Sequence, residues 1–108
     1  MSTTTTPSPP TPRLHDKVAI ITGSSSGLGR AIALAYAAHG TRLVVCADLR
    51  PNARGAFGVD SAATPTHELI CQRYGEARAV FVRTDVTIGE QVRGLVGEAV
   101  RVGGRLDV

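Results

Sequence analysis

The chain has 108 residues, of which 43% are hydrophobic and 19% charged, so its size allows one small globular domain. Twelve basic residues give a net charge of +3, but they are spread along the chain, and only 4% of residues are aromatic, which argues against nucleic-acid binding. No apolar run reaches the length of a membrane span and the N-terminus lacks the apolar core of a signal peptide, which predicts a cytoplasmic protein with no membrane partner.

The N-terminal segment differs in composition from the rest of the chain. Residues 1–14 are rich in Ser, Thr and Pro and are predicted to form a disordered tail, which leaves residues 15–108 for the folded domain. Cys46 and Cys71 form no C-x-x-C pair and lie in apolar surroundings, which predicts buried free thiols in a reducing compartment. The three histidines lack the spacing of metal ligands, so we expect no metal site.

The first predicted elements are a strand, a helix and a second strand. Residues 17–22 form a short β-branched run that ends in glycines, which is typical of a strand buried on both faces. Apolar residues then recur at helical spacing until Gly40, which is a C-terminal stop. They are Leu28, Ile32, Ala35 and Tyr36. Residues 42–48 repeat the buried-strand pattern and complete a unit of ~30 residues, which predicts two parallel strands and a right-handed connection.

An irregular segment and a second helix follow. Residues 49–63 carry Pro, Asn and Gly without periodicity and are predicted to form a long loop. Thr64 and Pro65 have the residue types of an N-cap and a first helical position. They predict a helix that begins there and stops at Gly75.

The last part of the chain predicts a strand, a helix and the start of another strand. Residues 79–84 are apolar and β-branched, and Thr87 and Glu90 have the spacing of a capping box in front of an apolar helical stripe. The stripe consists of Ile88, Val92, Leu95, Val96, Ala99 and Val100. The helix is predicted to end at the glycine pair 103–104, and residues 106–108 are predicted to begin a fourth strand.

A glycine-rich segment, T-G-S-S-S-G-L-G, lies between the first predicted strand and the first predicted helix. Its glycines, Gly23, Gly27 and Gly29, permit positive φ angles and allow a pyrophosphate to approach the backbone. The free N–H groups near Leu28 and Gly29 are expected to face the anion, and the three serine hydroxyls could reach a ribose or phosphate oxygen. In isolation such a segment could also be a simple turn, and its spacing is neither G-x-G-x-x-G nor that of a P-loop.

An acidic residue, Asp48, closes the second predicted strand. A carboxylate at this position can accept hydrogen bonds from both hydroxyls of an adenosine ribose, which favours NAD over NADP. Alone, Asp48 would more often be a solvated strand end. Together with the glycine segment, it predicts a dinucleotide site.

The segment T-G-S-S-S-G-L-G-R-A-I-A resembles the coenzyme motif of the short-chain dehydrogenase/reductase family, and the resemblance covers residues 17–108. It implies an α/β fold with a Rossmann-like doubly wound parallel sheet, here truncated to strands 3-2-1 and a stub of strand 4. It also implies that Asp48, with Leu49 beside it, selects the ribose, and that Asp85 and Val86 contact the adenine. The expected cofactor-binding residues are Gly23, Ser25, Ser26, Gly27, Leu28, Gly29, Asp48, Leu49, Asp85 and Val86.

The resemblance implies NAD as the cofactor, with NADP as the alternative. NADP-preferring members of the family usually carry a basic residue just before the second glycine, where this chain has Ser26. Arg50 and Arg54, however, closely follow Asp48 and could pair with a 2′-phosphate. The expected partner is therefore a dinucleotide or an adenine nucleotide.

The catalytic residues of that family have no counterpart in this chain. The family uses a Ser and a Tyr-x-x-x-Lys pair, but the one lysine, Lys17, precedes the glycine segment, and Tyr36 and Tyr74 have Gly40 and Arg78 four residues later. We therefore expect a truncated oxidoreductase that binds nucleotide at most. The alternatives are a non-catalytic regulator, which self-associates or pairs with a full-length homologue through an exposed edge of strand 1, and a gene fragment without function.

Overall fold

The computed structural model describes residues 14–52 and 64–108. The predicted tail up to residue 13 and residues 53–63 of the predicted loop lie outside the described residues. The elements in chain order are β1 (Val18–Thr22), α1 (Gly27–Ala38), β2 (Leu43–Asp48), α2 (Thr66–Tyr74), a short 3-10 helix (Glu76–Arg78), β3 (Ala79–Arg83) and α3 (Gly89–Gly103). Each strand and α-helix predicted up to residue 103 is therefore present.

The three strands form one parallel sheet in the order β1-β2-β3, with β2 in the centre. Val18 pairs with Leu43 near the amino ends of β1 and β2, and Asp48 pairs with Arg83 at the carboxyl ends of β2 and β3. The first five residues of β2 are all buried, because neighbouring strands and helices surround them. This arrangement confirms the predicted strand order 3-2-1 and places the carboxyl ends of the strands at one edge of the sheet.

Helices cover both faces of the sheet. α1 and α2 pack on the face that includes Val44 and Cys46 of β2. α3 packs on the opposite face, where its Leu95 is buried with Val45 and Ala47. Because successive side chains of a strand point to opposite faces, β2 contributes to both cores, as the doubly wound prediction requires. Within the described ranges, no helix has the length and apolar content needed to cross a membrane.

The buried face of α1 is narrower than the sequence predicts. Its fully buried residues are Ala33 and Ala37, which are one turn apart, whereas Ala35 is exposed and Leu28 is 76% exposed. Two alanines on the buried face allow the helix to lie close to the sheet. The periodicity therefore predicts the helix correctly but places Leu28 and Ala35 on the wrong face.

The predicted start of α2 is wrong by one position. Pro65, with φ −52° and ψ 145°, is the N-cap residue, and the helix begins at Thr66 rather than at the proline. Thr64 is therefore not the N-cap. The Thr66 hydroxyl is buried and bonds to a distant segment of the chain, a contact that local residue preferences cannot reveal.

The predicted capping box of α3 is also wrong. The helix begins at Gly89 with Ile88 as its N-cap residue, and no side chain caps it. The Thr87 hydroxyl donates to Asp85 Oδ1 at 2.6 Å instead. This local side-chain bond competes with capping, in which the Thr87 oxygen would instead accept a bond from a helical N–H group.

Residues 106–108 lie along the outer edge of β1, where the fourth strand is predicted to begin. Val18 N–H donates to Asp107 Oδ2 at 2.9 Å, and Val108 N–H donates to Val18 O at 3.2 Å. Ile20 N–H donates to Val108 O at 3.0 Å. The expectation of an exposed edge on strand 1 is therefore wrong as far as Ile20, because these bonds cover the edge there. In the described part of the chain, the open edge is confined to the end near Thr22.

Candidate nucleotide-binding site

The carboxyl ends of the three strands border a cleft of about 400 Å³. It is lined by Thr22, Gly23, Ala47, Asp48, Leu49, Thr84, Asp85, Val86 and Thr87. A smaller recess of about 80 Å³ adjoins it, lined by Ser25, Ser26, Asp48, Leu49, Arg50 and Asn52. Asp48 and Leu49 line both, and seven of the ten predicted cofactor-binding residues lie around these two spaces, whereas Gly27, Leu28 and Gly29 line neither. The carboxyl edge of a parallel sheet is where α/β proteins commonly bind ligands.

The three glycines of the loop after β1 have two different functions. Gly23 and Gly27 have φ angles of +64° and +56°, which residues with a Cβ rarely adopt. Gly29 packs directly on Gly23, and a Cβ at Gly29 would lie 2.0 Å from Gly23 O. The spacing G-x-x-x-G-x-G thus combines two left-handed turns with one close contact between α1 and the end of β1.

The first turn of α1 leaves backbone donors open. Arg30 is the first residue of the helix whose N–H bonds back, to Ser26 O at 3.3 Å. The N–H groups of Gly27, Leu28 and Gly29 have no acceptor among residues 14–52 and 64–108. Ser26 is the N-cap residue, but its hydroxyl makes no capping bond. These N–H groups and the positive end of the helix dipole form a suitable environment for an anion.

The other serines of the loop bond to the end of β2. Ser24 is fully buried, and its N–H and its hydroxyl both donate to Ala47 O at 3.4 Å. The Ser25 hydroxyl donates to Arg50 O, and Ser25 is also buried. Ser24 and Ser25 therefore hold the loop against the segment that follows β2, while Ser26 remains partly accessible.

Asp48 is held by backbone donors on both carboxylate oxygens. Leu49 N–H donates to Oδ1 at 2.7 Å and Ser25 N–H donates to Oδ2 at 3.1 Å. A carboxylate has about four acceptor positions, so two bonds leave capacity for two further donors. The carboxylate is thus fixed in direction and can still accept hydrogen bonds from a ligand.

Asp85 is held by the residues that follow it. Its Oδ1 accepts bonds from the Thr87 hydroxyl at 2.6 Å and from Thr87 N–H at 2.9 Å, and these bonds lower the pKa of the Asp85 carboxyl below its usual value. Asp85 N–H donates to Gln91 Oε1 at 2.8 Å. The Gln91 contact could not be predicted from residue types, because a glutamine inside a helix is usually exposed to solvent.

Two apolar side chains at the cleft are exposed. Leu49 is 49% exposed at the end of β2, and Val86 is 58% exposed after β3. Both line the cleft together with Asp48 and Asp85. The cleft therefore combines apolar surface with carboxylate acceptors, a lining that suits a flat base attached to a sugar.

The lysine and the two tyrosines, the residue types of the family's catalytic pair, lie away from the cleft. Lys17 precedes β1 at the amino end of the sheet, and Tyr36 packs against the core beneath α1 and α2. Tyr74 ends α2, with the Arg78 guanidinium 5.9 Å from its ring centre. None of the three lines the cleft.

The two cysteines differ in burial. Cys46 and Cys71 are free thiols, and burial raises the pKa of Cys46 to about 11, which keeps it protonated and unreactive. Cys71 is only partly buried. Over the described ranges, no cluster of histidine, cysteine and acidic side chains could hold a metal ion.

A doubly wound parallel sheet with a glycine loop after β1 and carboxylates after β2 and β3 defines a Rossmann-like α/β domain. Sequence comparison identifies the family within this class. The family described as "short chain dehydrogenase" matches residues 17–108, so the chain belongs to the short-chain dehydrogenases.

Individual relatives agree with this assignment. The chain is 41% identical over 106 residues to the sex determination protein tasselseed-2 of Zea mays, covering 97% of this chain and 27% of that protein. A short-chain dehydrogenase/reductase from Burkholderia phymatum, solved in complex with NAD, superimposes with a TM-score of 0.67 at 34% identity, covering 86% of this chain and 29% of that one. One from Mycobacterium smegmatis gives 0.69 at 28% identity, with 87% and 35% covered. The chain thus spans about a third or less of these relatives.

Proposed function

We propose that this chain binds an adenine dinucleotide at the carboxyl edge of its sheet and prefers NAD to NADP. The observation that carries the proposal is the position of Asp48, which lines both the cleft and the recess and is held by Ser25 N–H and Leu49 N–H. Its negative charge would repel a 2′-phosphate, whereas ribose hydroxyls would donate to it. The relative from Burkholderia phymatum, which was solved with NAD, supports this choice of cofactor.

Other residues at the carboxyl ends of the strands and at the start of α1 have complementary roles in this proposal. The open N–H groups of Gly27, Leu28 and Gly29 would bind the pyrophosphate. Asp85 and Val86 would contact the adenine from the β3 side of the cleft. NADP is the second candidate cofactor because Arg50 lines the recess beside Asp48. Arg54, the other basic residue considered for a 2′-phosphate, lies outside the described residues.

We further propose that the chain is the coenzyme-binding portion of an oxidoreductase and does not catalyse hydride transfer by itself. NAD supplies the hydride acceptor when bound, but a carbonyl or alcohol also requires a positioned proton donor or acceptor. The 108 residues contain no Tyr-x-x-x-Lys pair, and neither tyrosine lines the cleft. Two free cysteines are consistent with a reducing compartment, so we propose the cytosol as its location.

A second candidate is a regulator that associates with itself or with a longer homologue through the outer edge of β1. Successive residues of a parallel strand bond to alternate sides, so Thr22 presents its N–H and C=O groups to this edge. No partner for them lies in the described ranges. Analytical ultracentrifugation tests self-association, because a regulator that associates with itself dimerises whether or not nucleotide is present. Co-purification with a longer homologue tests the other form of this candidate.

Competition between ADP and NAD tests the binding proposal. Since every proposed contact is with the adenosine diphosphate half, ADP should bind within about tenfold of NAD in a calorimetric titration. The Gly27→Val variant serves as the control and should bind neither, because valine disfavours the φ of +56° at this position. NAD binding more than about a hundredfold tighter than ADP, a difference of ~2.7 kcal/mol, would contradict the proposed site.

Absorbance of NADH tests the proposed lack of turnover. The purified chain, supplied with NADH and a panel of aldehydes and ketones, should consume cofactor no faster than the buffer does. Consumption that survived repurification and was abolished by Gly27→Val would show that the chain holds a catalytic group.

A further inference from the structure

One peptide group of the glycine loop is held from two opposite sides. The peptide that joins Ser24 to Ser25 presents its carbonyl oxygen to the Thr66 hydroxyl at 2.7 Å and its N–H to Asp48 Oδ2 at 3.1 Å. In a trans peptide these two groups point in opposite directions. Rotation of this peptide would therefore break both hydrogen bonds together.

Thr66 makes its contact from inside the protein. It is 1% exposed and Ser24 is 0% exposed, so water cannot replace the bond between them. The two residues are 42 positions apart in the sequence, and Thr66 is the first residue of α2. The start of α2 thus fixes the loop that precedes α1.

Arg30 determines which way the Thr66 hydroxyl points. Its Nη1 donates to Thr66 Oγ1 at 3.1 Å and to Thr64 O at 2.8 Å. A threonine hydroxyl has one hydrogen, so a guanidinium donor on its oxygen leaves that hydrogen for Ser24 O. Arg30 lies in the first turn of α1, where a positive charge opposes the helix dipole, and these two bonds offset that cost.

We propose that Thr66 and Arg30 are positioning residues for the nucleotide site. They hold the Ser24–Ser25 peptide so that its N–H stays on Asp48, and Asp48 is thereby kept in the direction in which it can accept ribose hydroxyls. This inference rests on the proposed function, since Asp48 is the residue on which the proposed NAD preference depends. Neither Thr66 nor Arg30 lines the cleft or the recess, so their effect on a ligand is indirect.

The experiment compares three threonine variants in the 108-residue chain. Thr66→Val removes the hydroxyl and keeps the shape, Thr66→Ser restores the hydroxyl, and Thr41→Val is the matched control. Thr41 is also fully buried, but its hydroxyl has no hydrogen-bond partner in the described part of the chain. Calorimetry with ADP and hydrogen exchange of the Ser25 amide are measured for each variant.

The proposal predicts a specific pattern across the three variants. Thr66→Val should weaken ADP binding about tenfold and speed exchange at the Ser25 amide by a similar factor. Thr66→Ser should restore both to within about twofold of the unsubstituted chain, and Thr41→Val should change neither. A Thr66→Val variant that bound ADP normally and kept its Ser25 amide protected would overturn the proposal.

Two further outcomes remain decisive. If the unsubstituted chain bound no ADP, the proposed function would fail, but Ser25 exchange in the variants would still test whether Thr66 holds the peptide.

If Thr66→Val did not fold, the Arg30→Met variant would replace it in the experiment, because Arg30→Met leaves the Thr66 hydroxyl in place and removes only the guanidinium. That variant should weaken ADP binding about threefold, and unchanged binding and exchange would contradict the positioning role.

Discussion

The two ends of the sheet use their polar groups differently. At the amino end they bond to one another: Arg78 donates to Thr41 O at 2.9 and 2.6 Å, and Arg42 donates to Gly103 O. At the carboxyl end, the first N–H groups of α1 have no acceptor in the described ranges, and Asp48 keeps free acceptor capacity. Open donors and acceptors thus lie at the candidate site, whereas at the amino end these arginine side chains bond to backbone carbonyl groups of the fold itself.

The largest expected effects on stability and ADP binding come from replacing glycine with alanine, and they differ between the site helix α1 and the distant helix α3. Gly29→Ala places a Cβ 2.0 Å from Gly23 O, so it should lower the free energy of unfolding by about 3 kcal/mol or more and abolish ADP binding. Gly94→Ala on α3 meets nothing within 4 Å and should stabilise the chain by about 0.5–1 kcal/mol. Urea denaturation and ADP titration measure both effects. A well-folded Gly29→Ala variant that bound ADP would show that the close contact is not required.

Arg78→Met tests whether the amino end is structural only. The variant removes the donors to Thr41 O and to Ala37 O at the end of α1, so the free energy of unfolding should fall by about 1–3 kcal/mol. ADP affinity of the folded protein should stay within about twofold, because these contacts lie at the opposite end of the sheet. Arg73→Met, at an exposed position of α2, is the control and should be neutral. A large loss of ADP affinity in Arg78→Met would show that contacts at the amino end of the sheet also support the nucleotide site.

The smallest expected effect is the pH dependence contributed by Asp85. Hydrogen bonds from Thr87 lower the pKa of this carboxyl in the folded chain below its ordinary value of 3.8. Its stabilising contribution is therefore complete above about pH 4 and is lost as the pH falls through the lower, folded-state pKa. The difference in unfolding free energy between the unsubstituted chain and Thr87→Val should be constant near neutral pH and shrink in acid. Thr87→Ser should retain the original pH profile, and a difference that grew in acid would contradict this assignment.

Much of the fold could be predicted because its signals are local. The β-branched runs of β1 and β2, the glycines between β1 and α1, and the stop at Gly75 each depend on residues close together in the sequence. The helix starts were predicted less well. Thr64 and Thr87 are good N-cap residues by type, but a long-range contact at Thr66 and a nearby carboxylate at Asp85 decided the outcome.

The candidate site was predictable in outline but not in its hydrogen bonds. Glycine spacing and an acidic residue after β2 indicate where a dinucleotide could bind. The hydrogen bonds that hold the Ser24–Ser25 peptide have no sequence motif of this kind. Thr66 and Arg30 are separated by 36 residues and meet only when α1 and α2 pack together. Contacts of this kind follow from the tertiary structure and leave no periodic pattern in the sequence.

The central claim is that Asp48 selects the cofactor, and titration of NAD and NADP into the Asp48→Ala variant tests it most directly. Loss of the charged acceptor should weaken NAD binding by about 1–3 kcal/mol, while NADP binding stays unchanged or improves. Glu98→Ala, which removes a carboxylate from α3 outside the cleft, is the control and should leave both affinities unchanged. Equal losses of NAD and NADP affinity in Asp48→Ala would show that Asp48 only supports the loop, and would contradict the proposed site.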